Sequence, residues 1–548
     1  MIETDVLVVG GGPSGLMLAN ELGRRGVRCL LVDAKPGTAT NAQANATQAR
    51  TMEHFRRLGF ADEIRAQGLP PDHPTDIAYF TRFTGHELAR LRLPTAAQAV
   101  RDIRSMAGSW SAAELPHRIS QKYVEATLRK HAQAWPSNDI RYGWRMVEFG
   151  DEGDAVHAMV QPVAAAEPVT VTARYLIGCD GARSQVRSTL GIAWGGATGT
   201  RRDFMGGQMF AVHMRAPAFY DHCANARAWM YVAFNARRRA FICSIDGQGE
   251  LVFHAALRDG EDANTWSEPD ARRVFAEAMG RDIPFEILSL GTWTAGHSLV
   301  AQSFGHGHVF IAGDAAHLFT PTGGLGYNTG VEDAVNLGWK LASVLQGTSH
   351  PRLLDSYEAE RRPVAVRNTG YARHFADSVG LFAASPLLEE ESPAGAAERA
   401  AASQHLHAHV RMEFNIPGVT FGARYDGSPL IVGDGTLPAP DQANTYMPTA
   451  CPGGRPPHAW LPDGRSLYDS FGAEWTLLVL GPAPPEVRPF VEAATALNLT
   501  LAVVHHPDAA LRSLYQAPLA LIRPDQVVAW RGADGATARA VLMQAAAA

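Results

Sequence analysis

A short apolar run, Thr4 to Val9 (TDVLVV), is followed at once by Gly10, Gly12 and Gly15 in the order G-x-G-x-x-G. β-branched residues in such a run read as a buried strand. Ser14 to Arg25 then has the pattern of a helix, with Gly26 placed to end it. A second strand, Arg28 to Val32, closes with Asp33, an acid 18 residues beyond Gly15. This order constrains the chain more than any other feature. Gly10 permits the tight turn, Gly12 admits a pyrophosphate to the backbone, and Gly15 lets helix and strand approach. Pro13 and Ser14, between these glycines, are cofactor-binding candidates with them. Asp33 can accept from a ribose hydroxyl. The pattern predicts a bound dinucleotide in an α/β fold and does not choose between NAD and FAD.

The chain has 548 residues, so two to four domains are expected. Its net charge of −6 gives no general attraction to nucleic acid. No apolar run is long enough to span a bilayer, and Glu3 and Asp5 stand where a signal peptide would carry basic residues. Five scattered cysteines suggest neither disulfides nor a zinc site, which fits a reducing cytoplasm. No metal is expected.

Further along, Gln48 to Leu58 reads as a helix with Arg50 near its start, and Ile119 to Ala132 as a helix capped by Ser120. Arg50 suits a pyrophosphate and equally a solvated helix end. Residues 155 to 178 alternate like antiparallel strands, and Asp180-Gly181 follows them with Ser184 and Arg187 three residues apart. Residues 205 to 300 hold several short strand candidates, which predicts a mostly antiparallel sheet that covers a ligand. After a strand at Val309 to Ala312 comes Asp314, then Pro321 to Gly330 with four glycines, then a helix to Leu345. Such a helix start stabilises an anion, and a reduced flavin is one. Residues 352 to 412 are helical in pattern, with an alanine- and glutamate-rich patch from Glu389 to Gln404 that suggests mobility. Residues 415 to 470 look like a linker. A last unit of strands and a helix follows from Trp475, with a frayed tail expected at Ala545 to Ala548.

Three motifs in order, GGGPSG (Gly10 to Gly15), CDGARSQVR (Cys179 to Arg187) and GDAAHLFTPTGGLGYNTGVEDAVNLGWKLA (Gly313 to Ala342), resemble those of the para-hydroxybenzoate hydroxylase superfamily of FAD-dependent monooxygenases. HRISQKYVEATL (His117 to Leu128) is a weaker match. CPGGRPPHAWL (Cys451 to Leu461) and LIRPDQVVAWRG (Leu521 to Gly532) resemble the phenol and polyketide hydroxylases that carry a C-terminal thioredoxin-like domain. The resemblance implies a Rossmann-like FAD-binding domain over residues 1–190, with roughly 75–105 lent to the substrate domain. It further implies an antiparallel substrate sheet over 191–295, a second FAD-binding part over 296–370, a helical segment over 371–424 and a thioredoxin-like domain over 425–548.

By the same resemblance Gly10, Gly12, Gly15 and Asp33 hold the ADP half of FAD. Arg50 matches an arginine near the diphosphate and Gln121 a glutamine near the ribityl chain. Asp180 and Arg187 serve FAD and NAD(P)H. Asp314 reaches the ribityl chain, and Gly324, Gly326, Tyr327 and Asn328 lie by the flavin ring. Pro321 and Gly323 line the substrate side, and Tyr231 is a candidate from the roof, with His213, His254, Trp229 and Trp293 beside it. FAD is expected to stay bound and NAD(P)H, NADPH favoured, to visit. The implied reaction takes O2 to a flavin C4a-hydroperoxide and one oxygen to a phenolic or polyketide-like ring, with a base or acceptor near the phenol oxygen.

Two departures stand out. Gln43-Ala44-Asn45 replaces a Gln-Ala-Asp run, and Asn45 cannot act as a base. No C-x-x-C lies in the C-terminal unit, which is expected to be structural or to support a homodimer. A flavin halogenase would want a Trp-x-Trp-x-Ile-Pro run, which is absent. An NAD(P)H oxidase and a non-catalytic FAD-bearing partner are the other rivals, and the intact Pro321 to Asn328 loop argues against the second.

Overall fold

A computed structural model describes the chain except residues 42, 43, 165, 166, 201, 224 and 259. Gln43, singled out above, lies outside the described residues. The first strand, Ile2–Val9, pairs in parallel with Cys29–Asp33 on one side and Val169–Gly178 on the other. Asn138–Tyr142 extends the sheet beyond Cys29–Asp33, and Val309–Ile311 extends it beyond Val169–Gly178. Val6, Leu7 and Val8 are fully buried between the fingerprint helix Pro13–Gly23 and the opposite layer. A run that alternates little in polarity is what a strand covered on both faces requires. The helix Gly326–Leu345 packs along the fingerprint helix, and close approach is allowed where Gly313 and Gly330 meet Ser14.

The second sheet has seven strands in the order Glu286–Ala295, Gly207–Arg215, Glu250–Ala256, Ala240–Ser244, Met230–Ala233, Ile77–Phe80, Glu87–Leu91. All neighbours are antiparallel except Met230–Ala233 with Ile77–Phe80. One face packs on the helix Glu268–Met279 through Phe253, Phe275 and Tyr231. The other face looks toward the first sheet. This is the mixed α/β fold with a substrate-type sheet that the sequence predicts.

The C-terminal sheet runs Leu501–His506, Trp475–Leu480, Leu519–Ile522, Val528–Gly532, flanked by Arg488–Ala496, Ala509–Tyr515 and Ala538–Ala546. Three expectations change here. The Glu389 to Gln404 patch belongs mostly to one continuous helix, Pro393–Phe414. The stretch 415–470 is no loose linker, because Cys451, Arg455 and His458 are buried. The alanine tail is helical through Ala546, with Ala545 and Ala546 fully buried, and Ala547 O accepts from His350 N at 2.8 Å.

Buried charge fastens this unit to the first sheet's helices. Glu360 accepts from Arg523 Nη1 (2.6 Å) and Nη2 (2.8 Å), Lys340 Nζ (2.7 Å), Asn336 Nδ2 (2.7 Å) and Ser428 Oγ (2.7 Å). Glu360, Arg523 and Lys340 are all fully or almost fully buried. Glu53, 2% exposed, accepts from Arg455 Nε (3.0 Å) and Arg50 Nη1 (3.0 Å). Among the described residues no helix is long and apolar enough to cross a membrane.

Candidate active site

Between the two sheets lies a cavity of about 1680 Å³, which runs from the glycine fingerprint to the open face of the seven-stranded sheet. It exceeds a typical small-ligand pocket and has room for a dinucleotide with a second ligand. At one end Gly10 holds φ +113°, and a Cβ there would stand 2.2 Å from Cys179 O. A Cβ on Gly12 would meet nothing within 4 Å, so the backbone beside the helix start is open to the cavity. That helix has no side-chain cap, and its first N–H groups remain for an anion. Asp33 Oδ2 accepts from Gly11 N and Oδ1 from Lys35 N, each at 2.7 Å. Two of its roughly four acceptor positions stay available for hydroxyls. Tyr142, absent from the sequence reading, closes the turn by donating to Gly11 O at 2.7 Å.

Ser184 caps the short helix Gln185–Thr189 by accepting from Arg187 N (2.9 Å), and Asp180 accepts from Ser184 Oγ (2.6 Å) and Val186 N (3.1 Å). Midway along the cavity, Asp314 makes no hydrogen bond or ion pair among the described residues and faces the open space. The surrounding protein raises its pKa by limiting hydration, and His317 opposes that shift. His317 is itself buried, with Nε2 2.6 Å from Asp333 Oδ2, and Asp333 also takes Gly313 N (3.2 Å) and Arg361 Nε (2.7 Å). This chain of contacts fixes the strand end that carries Asp314.

The glycine loop is braced rather than loose. Gly323 and Gly324 hold φ +70° and +64°. Gly323 N donates to Glu413 Oε1 (3.0 Å), and Gly323 O accepts from Gln48 Nε2 (2.8 Å). Asn328 Nδ2 donates to Gly324 O (2.7 Å) and Ala46 O (2.9 Å), while its Oδ1 accepts from Gln48 N (2.9 Å) and Thr51 Oγ1 (2.7 Å). Tyr327 hydroxyl pairs with Thr47 Oγ1.

Pro13, Ser14, Gln121, Pro321, Gly323, Gly324, Gly326 and Tyr327 all line the cavity with Gly10, Gly12, Asp33, Asp180 and Asp314. Gln121 Nε2 is tied to Glu125 Oε1 at 2.7 Å. Gly15 sits inside the fingerprint turn, where a Cβ would stand 2.0 Å from Gly10 O. Asn328 stands behind the loop as its clamp.

Three expected residues are placed elsewhere. Arg50 donates to Glu53, to Gln526 Oε1 (3.2 Å) and to the carbonyls of Asp525 and Gln526 (3.0 Å each). Its fork is used by the C-terminal unit and not by the cavity. Arg187 stands behind the lining residue Trp194, its guanidinium carbon 4.2 Å from the ring centroid. Tyr231 lies on the far face of its strand, stacked on Phe80, and its oxygen accepts from Ala228 N at 2.8 Å. Strand alternation explains the difference: Met230 and Val232 face the cavity, so Tyr231 faces the helix Glu268–Met279. His213, His254, Trp229 and Trp293 do line the cavity.

The roof is completed by two residues the sequence reading missed, Glu413 and Phe414, at the end of the helix Pro393–Phe414. Glu413 is 6% exposed, and its Oε2 lies 3.0 Å from His409 Nε2. The one available signal was a histidine and a glutamate four residues apart, which share a helix face.

Residues 3–371 match the FAD binding domain family, and residues 449–548 match the family described as aromatic-ring hydroxylase, C-terminal. The chain belongs to the FAD-dependent aromatic-ring hydroxylases. It is 31% identical to an aklavinone 12-hydroxylase of Streptomyces peucetius, over 93% of this chain and 99% of that one. It is 28% identical to a phenol 2-monooxygenase of a Pseudomonas species, over 97% and 90%. The solved structure of the rebeccamycin biosynthetic enzyme RebC with reduced flavin superposes with a TM-score of 0.88 at 34% identity, covering 100% of this chain and 99% of that one. FAD is therefore the dinucleotide of this family member, an oxidoreductase of the monooxygenase type. The open backbone at Gly12, the free acceptors of Asp33 and the unpartnered Asp314 fit FAD.

Proposed function

We propose that this hydroxylase inserts one oxygen of O2 into a phenolic or polyketide-like aromatic ring, with NADPH as the reductant. The observation that carries this is the continuity of the cavity from the dinucleotide fingerprint to an apolar roof, with the Pro321–Gly326 loop at the junction. In this reading Gly10, Gly12, Pro13, Ser14 and Asp33 hold the adenosine and pyrophosphate, Asp180, Gln121 and Asp314 hold the middle, and Gly324, Gly326 and Tyr327 meet the ring system. FAD, when bound, supplies reduction by nicotinamide and activation of oxygen.

The chain's own task is to hold the aromatic ring dry and to make its oxygen electron-rich. Trp229, Met230, Val232, Phe241 and Val252 give a flat apolar wall that excludes water. Asn45 lines the cavity but has no acid–base chemistry. Glu413 is a carboxylate in that wall, with His409 Nε2 3.0 Å from its Oε2. We assign Glu413 as the acceptor of the phenol proton, because it joins the roof to the loop at Gly323.

The test is NADPH oxidation by the FAD-loaded protein with and without a panel of phenols and hydroxylated polycyclic aromatics, with product and peroxide measured separately. Hydroxylated product with stimulated oxidation is expected. Equal oxidation in every case, with peroxide alone formed, would leave an NADPH oxidase as the better account.

A further inference from the structure

Tyr79 belongs to the strand Ile77–Phe80, whose alternation sends Ala78 and Phe80 to the helix side of the sheet and Tyr79 to the cavity. It lines the cavity with Glu413, Phe414, Trp229, Val232 and Phe241. Its ring stands edge-on to His409, with the centroids 6.0 Å apart and the planes at 89°. His409 lies one helical turn before Glu413, so Tyr79 and Glu413 share one corner of the roof. Burial, and then the Glu413 carboxylate, push the Tyr79 hydroxyl well above the usual tyrosine range, which keeps it a donor. The residue is 2% exposed, and its hydroxyl makes no hydrogen bond among the described residues. The oxygen nonetheless keeps some accessible surface, and the space it meets is the cavity. Other deeply buried tyrosines spend their hydroxyls on the backbone. Tyr231 Oη accepts from Ala228 N at 2.8 Å, Tyr357 Oη donates to Ile311 O at 2.9 Å, and Tyr515 Oη donates to Pro457 O at 2.9 Å. A buried hydroxyl without a partner is costly, and a ring needed only for packing could be phenylalanine. The imidazole of His254, in the same wall, is already engaged by Trp293 Nε1 at 3.0 Å.

Resting on the hydroxylase reading above, we propose that the substrate is an aromatic hydroxy-carbonyl compound, whose phenol donates to Glu413 and whose ring-attached carbonyl accepts from Tyr79. A donor and an acceptor fixed at one corner match a ligand that presents an acceptor and a donor in turn. A phenol without the carbonyl satisfies Glu413 and leaves the Tyr79 hydroxyl unpaired in an apolar wall, and a site built to hydrogen-bond discriminates most strongly against the analogue that lacks the partner. The ring body lies against Trp229, Val232 and Phe241. Tyr79 is then a specificity-determining residue.

The experiment probes the full-length, FAD-loaded protein with 2-acetyl-1-naphthol and 4-acetyl-1-naphthol, which space the two oxygens differently, and with 2-ethyl-1-naphthol and 4-ethyl-1-naphthol, which lack the carbonyl. Dissociation constants come from the perturbation of the flavin spectrum. At least one ketone is expected to bind about fivefold or more tighter than its ethyl counterpart, the size of one neutral hydrogen bond. Tyr79→Phe, which keeps the ring against His409, should bring that ratio near one and leave the ethyl compounds bound as before. The carbonyl stretch of the bound ketone, read by infrared difference spectra, should lie at lower frequency in the unaltered protein than in Tyr79→Phe, a signature that packing alone would not produce. Ratios near one for both ketones in the unaltered protein, or a ratio kept by Tyr79→Phe, would overturn the assignment. Equal weakening of ketone and ethyl compounds in the variant would overturn it too, and would put Tyr79 on the phenol oxygen instead. Should Tyr79→Phe fail to hold FAD, the ratios and the carbonyl stretch in the unaltered protein still decide it. If the ethyl compounds perturb the flavin and speed NADPH oxidation while the ketones have no advantage, only the carbonyl assignment falls. If none of the four does either, the hydroxylase reading falls with it.

Discussion

Glu413 Oε1 accepts a hydrogen bond from Gly323 N at 3.0 Å, across 90 positions of sequence. One carboxylate thus holds the glycine loop in its positive-φ form, and its second oxygen lies beside His409 Nε2. Position and chemistry are coupled at this residue, and the two can be separated. Glu413→Gln keeps the size and can still accept from Gly323 N, but it cannot take a proton. Product formation is expected to fall about 10²- to 10⁴-fold, the usual contribution of a positioned base, with peroxide rising in its place. Chromatographic product and peroxide assays check this. Full product yield from the variant would move the base elsewhere.

Asp314 has a different task, because it is an acceptor with nothing of its own to accept from. Asp314→Ala removes charge-assisted bonds to FAD hydroxyls of roughly 1.5 to 3 kcal/mol, about one to two decades of affinity. FAD titration by fluorescence quenching measures the loss. Its raised pKa sets a further direction: protonation removes acceptor capacity, so FAD affinity should weaken as pH falls through the range where Asp314 protonates. An Asp314→Asn protein should lose that pH dependence.

Gly324 is constrained twice. It holds φ +64°, and an added Cβ would stand 2.9 Å from Ala46 Cβ. Gly324→Val places a β-branched residue in a conformation it resists. Substrate stimulation of flavin reduction, expected to be about tenfold or more in the native enzyme (some 1.4 kcal/mol of barrier), should be blunted. Stopped-flow reduction with and without ligand reads this. The loop is braced by Glu413, Gln48 and Asn328, and a strained residue at Gly324 would disturb that bracing.

The ion cluster beneath the C-terminal unit predicts an asymmetry between single and paired changes. Arg523→Met leaves Glu360 buried with Lys340 alone and should cost about 3 to 5 kcal/mol. Replacing Glu360, Lys340, Arg523 and Asp525 together by apolar residues should cost much less, because Asp525, which takes Arg523 Nε (3.0 Å) and Nη2 (2.7 Å), is then not left as an unpaired buried charge. Chemical denaturation of the FAD-loaded proteins distinguishes the two. Equal losses would mean the cluster is not acting through its charge.

Acid should weaken the same interface through Glu53. Burial alone would raise its pKa, but Arg455 and Arg50 outweigh burial and hold it at about 2. A carboxylate lowered from about 4.5 to about 2 contributes stability that is whole above pH 4.5 and is lost as pH falls toward 2. The difference is about 3 kcal/mol. Glu53→Gln should lower stability at neutral pH and flatten the acid limb of the unfolding profile, as followed by circular dichroism.

Much of the dinucleotide end was legible because its signals are local. Gly10, Gly12, Gly15 and Asp33 serve within one strand–helix–strand unit, and Asp314 and the following glycines serve within another. The substrate end was less so. Tyr231 and Trp229 look equally eligible in sequence, but Trp229 precedes the strand Met230–Ala233 and lines the cavity, whereas Tyr231 lies inside the strand between the lining residues Met230 and Val232 and faces away. Glu413 fell just beyond the stretch 352 to 412 read as helical, and its importance comes from contact with Gly323. Arg50 was misplaced because a helix-start arginine can turn either way, and Asp525 and Gln526, which capture it, are far along the chain.

The strap between the two ends of the chain has a consequence for synthesis. Arg50, Glu53, Lys340 and Glu360 emerge from the ribosome long before Arg455 and Arg523, which neutralise or share their charge. Until the last hundred residues are made, these groups have no dry interior in which to rest. That surface of the flavin-binding part therefore stays hydrated until Arg455 and Arg523 dock against it.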